Sequence, residues 1–352
     1  MSNGKKLWNL LKNGGLFIII LVVTFKVIFF NADFKGVLKT MSQVNLGYIA
    51  IGIAAMCLVV LCEAINIGRS LKLFKEKSNL LECIQYSFAG IFFSSITPSA
   101  TGGQPMQIYY MHKKKIDISK AMLALLLCLA SYQIVTVSMS LIGLIIKFDL
   151  FREDIGTFGV LLFIGIMLNV ILLVFILVAI FSKKVIFKAV NLCVKVLGMI
   201  KYKKTDIFKE QALLEIEKYK KSAEYIKNDK IFMINTILIT TVQIIAFHSI
   251  PFWVYRSFGM SSVSLIEFIS IQSALYIAGA ALPFPGAVGV GEKGFLVFFK
   301  TIFPAQILSS AMLLSRGISF YLMLIISGIG IMFLHLSLKK NLKGITVQKK
   351  IA

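Results

Sequence analysis

Acidic side chains are scarce in this chain. Sixteen Asp and Glu stand against 38 Lys and Arg, a net charge of +22, and charged residues make up only 15% of 352. A soluble globular protein is about a quarter charged, so an ordinary water-soluble enzyme is excluded. Three His (His112, His248, His335) lie far apart without ligand spacing, and the five Cys (Cys57, Cys62, Cys83, Cys128, Cys193) contain no CxxC pair. A metal site and a disulfide framework are therefore not expected, and the cysteines read as small packing residues. There is no GxxxxGK[ST], HExxH or GxSxG motif, and no His neighbours Ser99 to activate it. Gly289, Gly291 and Gly294 spell GxGxxG, but no strand precedes them, so the dinucleotide reading lacks its context. Nothing specifies covalent chemistry, and no cofactor is expected.

What fills the chain instead is apolar: 58% hydrophobic residues, 29 Phe and a mean hydropathy of +0.85. That composition excludes a disordered or collagen-like chain. On a soluble chain the basic excess would suggest nucleic acid. Here apolar runs of bilayer length dominate, which predicts an all-α integral membrane protein that binds no nucleic acid directly. Six runs, 15–30, 46–66, 121–148, 157–182, 231–255 and 305–336, read as full spans. The first follows Lys5, Lys6 and Lys12 like a signal peptide, but no small-x-small cleavage site comes after it, so it reads as a retained helix.

Two further segments are broken. One is interrupted between Thr97 and Pro105, the other between Leu282 and Gly294, and four of the six prolines (Pro98, Pro105, Pro283, Pro285) fall in these breaks. Proline removes a backbone donor and glycine weakens helix, so neither stretch should be one straight rod.

Charge placement sets the topology. Basic residues cluster in 1–14, 67–82, 111–120, 183–230 and 335–352, which hold 29 of the 38, and the positive-inside rule puts these stretches and both termini in the cytoplasm. The segment 84–111 then starts and ends inside, and 265–299 starts and ends outside. Both are expected to be re-entrant helical hairpins. Residues 46–148 and 231–336 become two halves of an inverted repeat within a single polytopic domain spanning 1–352. The basic stretch 183–230 reads as a solvated helix pair or as an amphipathic helix on anionic lipid.

The breaks are the best site candidates, because backbone freed from helix must pack in protein or line a watery cavity. Helix starts at such breaks aim unpaired N–H groups that suit a phosphate. Pro98, Ser99, Thr101, Gly102, Gly103 and Gln104 supply the first break, with Pro105 expected at the first helical position after it. Pro283, Pro285, Gly286, Gly289 and Glu292 supply the second. Arg316 sits inside the last apolar run, where an ionisable group faces a cavity or a partner, an ion pair with Glu292 being the structural alternative. Glu63, Asn66 and Arg69 are secondary candidates, three apart on one helix face. Lys26 in the first run can snorkel, as can Arg69.

The segment TPSATGGQPMQIYYM, paired with LPFPGAVGVGEKGF and with SRGISFYLMLIISG around Arg316, resembles the membrane domain of the lysylphosphatidylglycerol synthase/flippase family (multiple peptide resistance factor and its shorter relatives). The resemblance covers about residues 15–336. It implies a bacterial plasma-membrane protein that moves aminoacylated or other anionic phospholipid, such as lysylphosphatidylglycerol, between leaflets. Its expected partners are phosphatidylglycerol or its lysyl ester, a separate soluble synthase, and a second copy of the chain. Arg316 and the hairpins would hold the phosphate, and Glu292 a cationic aminoacyl group. The chain stops shortly after its last apolar run, so the family's tRNA-dependent lysyltransferase part is not expected. Phosphatidylglycerol lysyl transfer, or carriage of polyprenyl-phosphate-linked glycans or another secondary-transport substrate, are the alternatives.

Overall fold

The computed structural model of the chain describes residues 40, 42–146, 156–181, 225–226, 229–279 and 284–335. The expected first span 15–30 with Lys26, most of the basic stretch 183–230, Cys193, Pro283 and both termini lie outside them. The described residues form helices and no strand: α1 Leu46–Leu73, α2 Leu80–Ile96, α3 Gly103–Lys113, α4 Ile118–Ile146, α5 Gly156–Phe181, α6 Lys230–His248, α7 Ile250–Ser257, α8 Leu265–Gly279, α9 Val290–Phe298 and α10 Ala305–Arg316. The protein is an all-α integral membrane protein. Five described helices are long and apolar enough to cross a membrane: α1, α4, most of α5, α6 with α7, and α10 with its extension to His335.

Local chemistry sets the helix starts. The side chain of Asn45 accepts from the Gly47 N–H (2.9 Å), and that of Asp229 from the Phe232 N–H (2.8 Å). Asn79 and Glu82 cap α2 reciprocally, each side chain accepting from the other's backbone N–H. Such caps satisfy donors that the first turn leaves orphaned. Pro251 stands where α6 gives way to α7, a position where the missing N–H bends the rod. A π segment, Gly317–Tyr321, follows Arg316 directly and carries α10 onward. Such bulges locally re-aim the side chains of a helix.

Two hairpins organise the centre. In the first, α2 and α3 pack on each other and are joined by a 3₁₀ turn, Pro98–Ala100. In the second, α8 and α9 do the same around Pro285–Ala287. Both turns contain two consecutive left-handed residues, Ser99 (φ 50°) with Ala100 (φ 55°) and Gly286 (φ 59°) with Ala287 (φ 50°). The turn, the second arm and the following helix begin at 98, 103 and 118 in the first half and at 285, 290 and 305 in the second, a constant shift of 187.

The hairpins approach from opposite ends of the bundle. At 1.5 Å per residue, α1 is about 40 Å long and marks both ends. At its C-terminal end, Lys114 pairs with Glu82 (3.0 Å) and Lys120 with Glu76 (2.7 Å), tying together the outer ends of the first hairpin. At its N-terminal end, the Asn45 N–H donates to the Ser257 carbonyl (2.9 Å) and Arg256 Nη2 to the Tyr48 hydroxyl (3.4 Å), where the second hairpin begins. The two turns touch in the middle.

One buried cluster centres on α1–α4 (Ile67, Leu71, Tyr86, Met111, Leu123). A second centres on α7–α10 and is strongly aromatic (Tyr255, Phe268, Phe295, Phe299, Phe303). Between helices, small residues allow backbone contact, as is common in bilayers. A Cβ on Gly165 of α5 would run into the Ile277 carbonyl of α8. The outer face of α5, including Val160, Phe163, Ile171 and Phe175, is exposed and apolar, as a lipid-facing surface must be.

Candidate functional site

A cavity of about 480 Å³ lies where the two turns meet. Ser99 and Ala100 face it from the first turn, and Gly286 and Ala287 from the second. Gly291 of α9 and Arg316 at the end of α10 complete that side. The remaining wall is polar at scattered points: Tyr132 and Gln133 from α4, Asn169 from α5, Gln272 and Tyr276 from α8, and Ser315 and Ser319 around the end of α10.

Arg316 is the cation of the cavity wall, and it is held on several sides. Its Nε donates to Glu292 Oε1 (2.9 Å), its Nη2 donates to the Gly286 carbonyl (3.1 Å), and its guanidinium lies 4.6 Å from the centroid of the Phe320 ring. Gly291 borders the guanidinium, and a Cβ there would stand in ordinary contact with it at 3.5 Å. Glu292, 1% exposed, is fully engaged. Its Oε2 accepts from the Gly289 N–H (2.6 Å), while Oε1 accepts from Arg316 and from the Tyr321 hydroxyl (3.4 Å). The pair therefore welds the start of α9 to the end of α10. No acceptor among the described residues is assigned to Nη1, and Arg316 lines the cavity. The outward edge of the guanidinium is a free donor on a fixed mount, suited to an oxyanion such as phosphate.

The first turn satisfies itself. Thr97 Oγ1 donates to the Phe93 carbonyl (2.6 Å) and accepts from the Gly102 N–H (2.9 Å), Thr101 Oγ1 donates to the Pro98 carbonyl (2.9 Å), and Ser94 Oγ donates to the Ala100 carbonyl (3.3 Å). Gly102 and Gly103 serve the hairpin: a Cβ on Gly103 would collide with Ser94 Oγ and stand 2.9 Å from the Gly90 carbonyl. Helix α3 begins at Gly103, so Pro105 falls inside its first turn, two residues later than expected and still where its missing N–H leaves no gap.

Of the residues singled out from sequence, Ser99, Gly286 and Arg316 meet at the cavity. Gly289 and Glu292 stand directly behind Arg316. Pro98, Thr101, Gly102, Gly103 and Gln104 shape the first hairpin outside the cavity wall, and Pro285 opens the second turn. Glu63, Asn66 and Arg69 lie elsewhere. Glu63 accepts from Gln107 Nε2 (3.1 Å), Asn66 donates to Thr240 Oγ1 (3.0 Å), and Arg69 lies over the Phe232 ring (5.5 Å), stitching α1 to α3 and α6. Sequence reasoning missed Tyr132, Gln133, Asn169, Gln272 and Tyr276. Isolated amides within apolar runs were the signal available.

Comparison with known proteins places the fold in a family. Residues 14–327 match the family described as the lysylphosphatidylglycerol synthase TM region. The chain belongs to that family. A relative, described as the UPF0104 membrane protein PH1989 of Pyrococcus horikoshii, is 22% identical over 322 residues, covering 89% of this chain and 95% of the relative. Membership supports a lipid-related role in a membrane for the family fold, and the multi-pass character matches the five described spans.

Proposed function

We propose that the chain is a lipid translocase that carries an anionic phospholipid headgroup between leaflets through the cavity where its two hairpins meet. The observation that carries this reading is Arg316, clamped by Glu292 and the Gly286 carbonyl with its outer edge free over the cavity. The lipid phosphate binds that edge, and the acyl chains stay in the bilayer. Glu292 is a positioning residue in this scheme: both of its oxygens hold protein groups, so its task is to fix Arg316.

The halves 46–148 and 231–336 act as an inverted repeat, supported by the constant 187-residue shift between their breaks. The hairpins enter the membrane from opposite faces, the first from the basic, cytoplasmic side. Rocking one half against the other exposes the cavity to each leaflet in turn, with the touching turns as the moving seal.

The test is reconstitution into vesicles carrying fluorescent phosphatidylglycerol, with outer-leaflet dye quenched chemically. Wild type is expected to expose inner-leaflet lipid well above empty vesicles, and Arg316→Gln to lose most of that rate. Wild type matching empty vesicles for every anionic lipid tried would remove the proposal.

A further inference from the structure

The chemistry of the cavity says more about the headgroup than its charge. Among the described residues that line it, none is Asp or Glu, and the nearest carboxylate, Glu292, is saturated behind Arg316. Apart from the half-exposed Phe284, the rings of the wall that could stand in for a carboxylate toward a cation pack against other side chains. Phe320 lies under Arg316 at 4.6 Å, and Tyr132 and Phe247 pack against Tyr276 at 6.3 and 5.8 Å. An ammonium carried into this space would meet neutral acceptors and the Arg316 guanidinium but no counter-charge, which is costly at membrane depth.

Neutral polar groups are plentiful, and several lack partners. The amide oxygens of Gln133 and Gln272 and the hydroxyl of Ser315 are buried without a hydrogen bond. Gln133 is 7% exposed and Ser315 3%. All three line the cavity. Buried acceptors without partners are rare and ask for a donor. A hydroxyl can donate to an amide oxygen and accept from a neighbouring amide or hydroxyl, so a polyol matches this set.

Resting on the translocase reading, we infer that the cavity is built for a lipid phosphate bearing an uncharged polyhydroxyl group, glycerol or a sugar, and excludes a cationic aminoacyl ester. Arg316 takes the phosphate, while Gln133, Gln272 and Ser315 take the hydroxyls. Two lipids share this chemistry, phosphatidylglycerol and an isoprenoid phosphate carrying a hexose.

The experiment compares translocation of four fluorescent lipids by the reconstituted full chain: phosphatidylglycerol, an isoprenoid-phosphate hexose, lysylphosphatidylglycerol and phosphatidylethanolamine. At least one of the first two is expected to move about tenfold or more faster than both amines, as sites made to pair hydroxyls discriminate strongly. Which of the two moves faster identifies the source. Gln272→Glu is expected to narrow the gap by supplying the missing carboxylate. Gln133→Leu is expected to slow the faster of the first two lipids and so narrow the same gap from the other side. Lysylphosphatidylglycerol moving as fast as phosphatidylglycerol, with Gln272→Glu without effect, would overturn this inference and leave the translocase reading standing. No lipid moving above empty vesicles would overturn both.

Discussion

The two hairpin breaks share a backbone and differ in their equipment. Each is a Pro-x-Ala turn with two left-handed residues, and the turn, the second arm and the following helix keep the same 187-residue shift. The first break ties its polar groups to itself through Thr97, Thr101 and Ser94. The second carries a buried carboxylate and a guanidinium that crosses from the next helix. A common scaffold thus supplies the kink twice, while the charge stands on one side only. In the proposed translocase the first turn serves as a wall, and the second, with Arg316, as the binding face.

Breaking that asymmetry should cost most at the ion pair. Arg316→Ala strands the buried Glu292 charge and should destabilise the protein by about 3–5 kcal/mol, read as thermal unfolding in detergent, with transport abolished. The double variant Arg316→Gln/Glu292→Gln should recover much of that stability and none of the transport. A double variant with wild-type flux would show that the charge is structural only.

The next largest effect sharpens the contrast between the turns. Gly286→Val forces a branched residue into φ 59° against Phe320, and Gly103→Val drives its side chain into Ser94. Each should cost about 1–3 kcal/mol. In protein that remains folded, Gly286→Val should remove more transport than Gly103→Val, because only the former borders the cavity. Equal losses of flux would contradict the division of labour.

Tyr132→Phe removes the hydroxyl that donates to Tyr276 (2.9 Å) and should cost about 1 kcal/mol, with a modest drop in flux. The smallest effect belongs to Ser99→Gly, which gives the first turn the residue that the second already has. Relief of the left-handed serine is offset by the entropy of glycine, so stability should change by less than about 1 kcal/mol. A large loss would mean that the serine hydroxyl has a role at the cavity.

The breaks were legible from sequence because proline and glycine concentrate there, and backbone rules act locally. The pairing of Arg316 with Glu292 was open as an alternative, but its geometry was not: 24 residues and the turn from α9 to α10 separate the two, and nothing local says that the carboxylate turns inward. From sequence Gly102 and Gly103 stand only as part of the break; that they leave room for Thr97 and Ser94 depends on how α3 packs against α2. Gln133, Gln272 and Asn169 stayed hidden because a lone amide in an apolar run carries no periodicity, and which of them share a cavity depends on how α4, α5 and α8 cross.

The central claim is that both hairpins turn back inside the membrane, from opposite faces. In a cysteine-free background, single cysteines at the exposed positions Lys77, Lys115, Ser264 and Thr301 can be probed with an impermeant thiol reagent on sealed, oriented vesicles. Lys77→Cys and Lys115→Cys, which flank the first hairpin, should react from one face, and Ser264→Cys and Thr301→Cys from the other. Reaction of the two cysteines flanking either hairpin from opposite faces would make that segment a simple crossing and contradict the account.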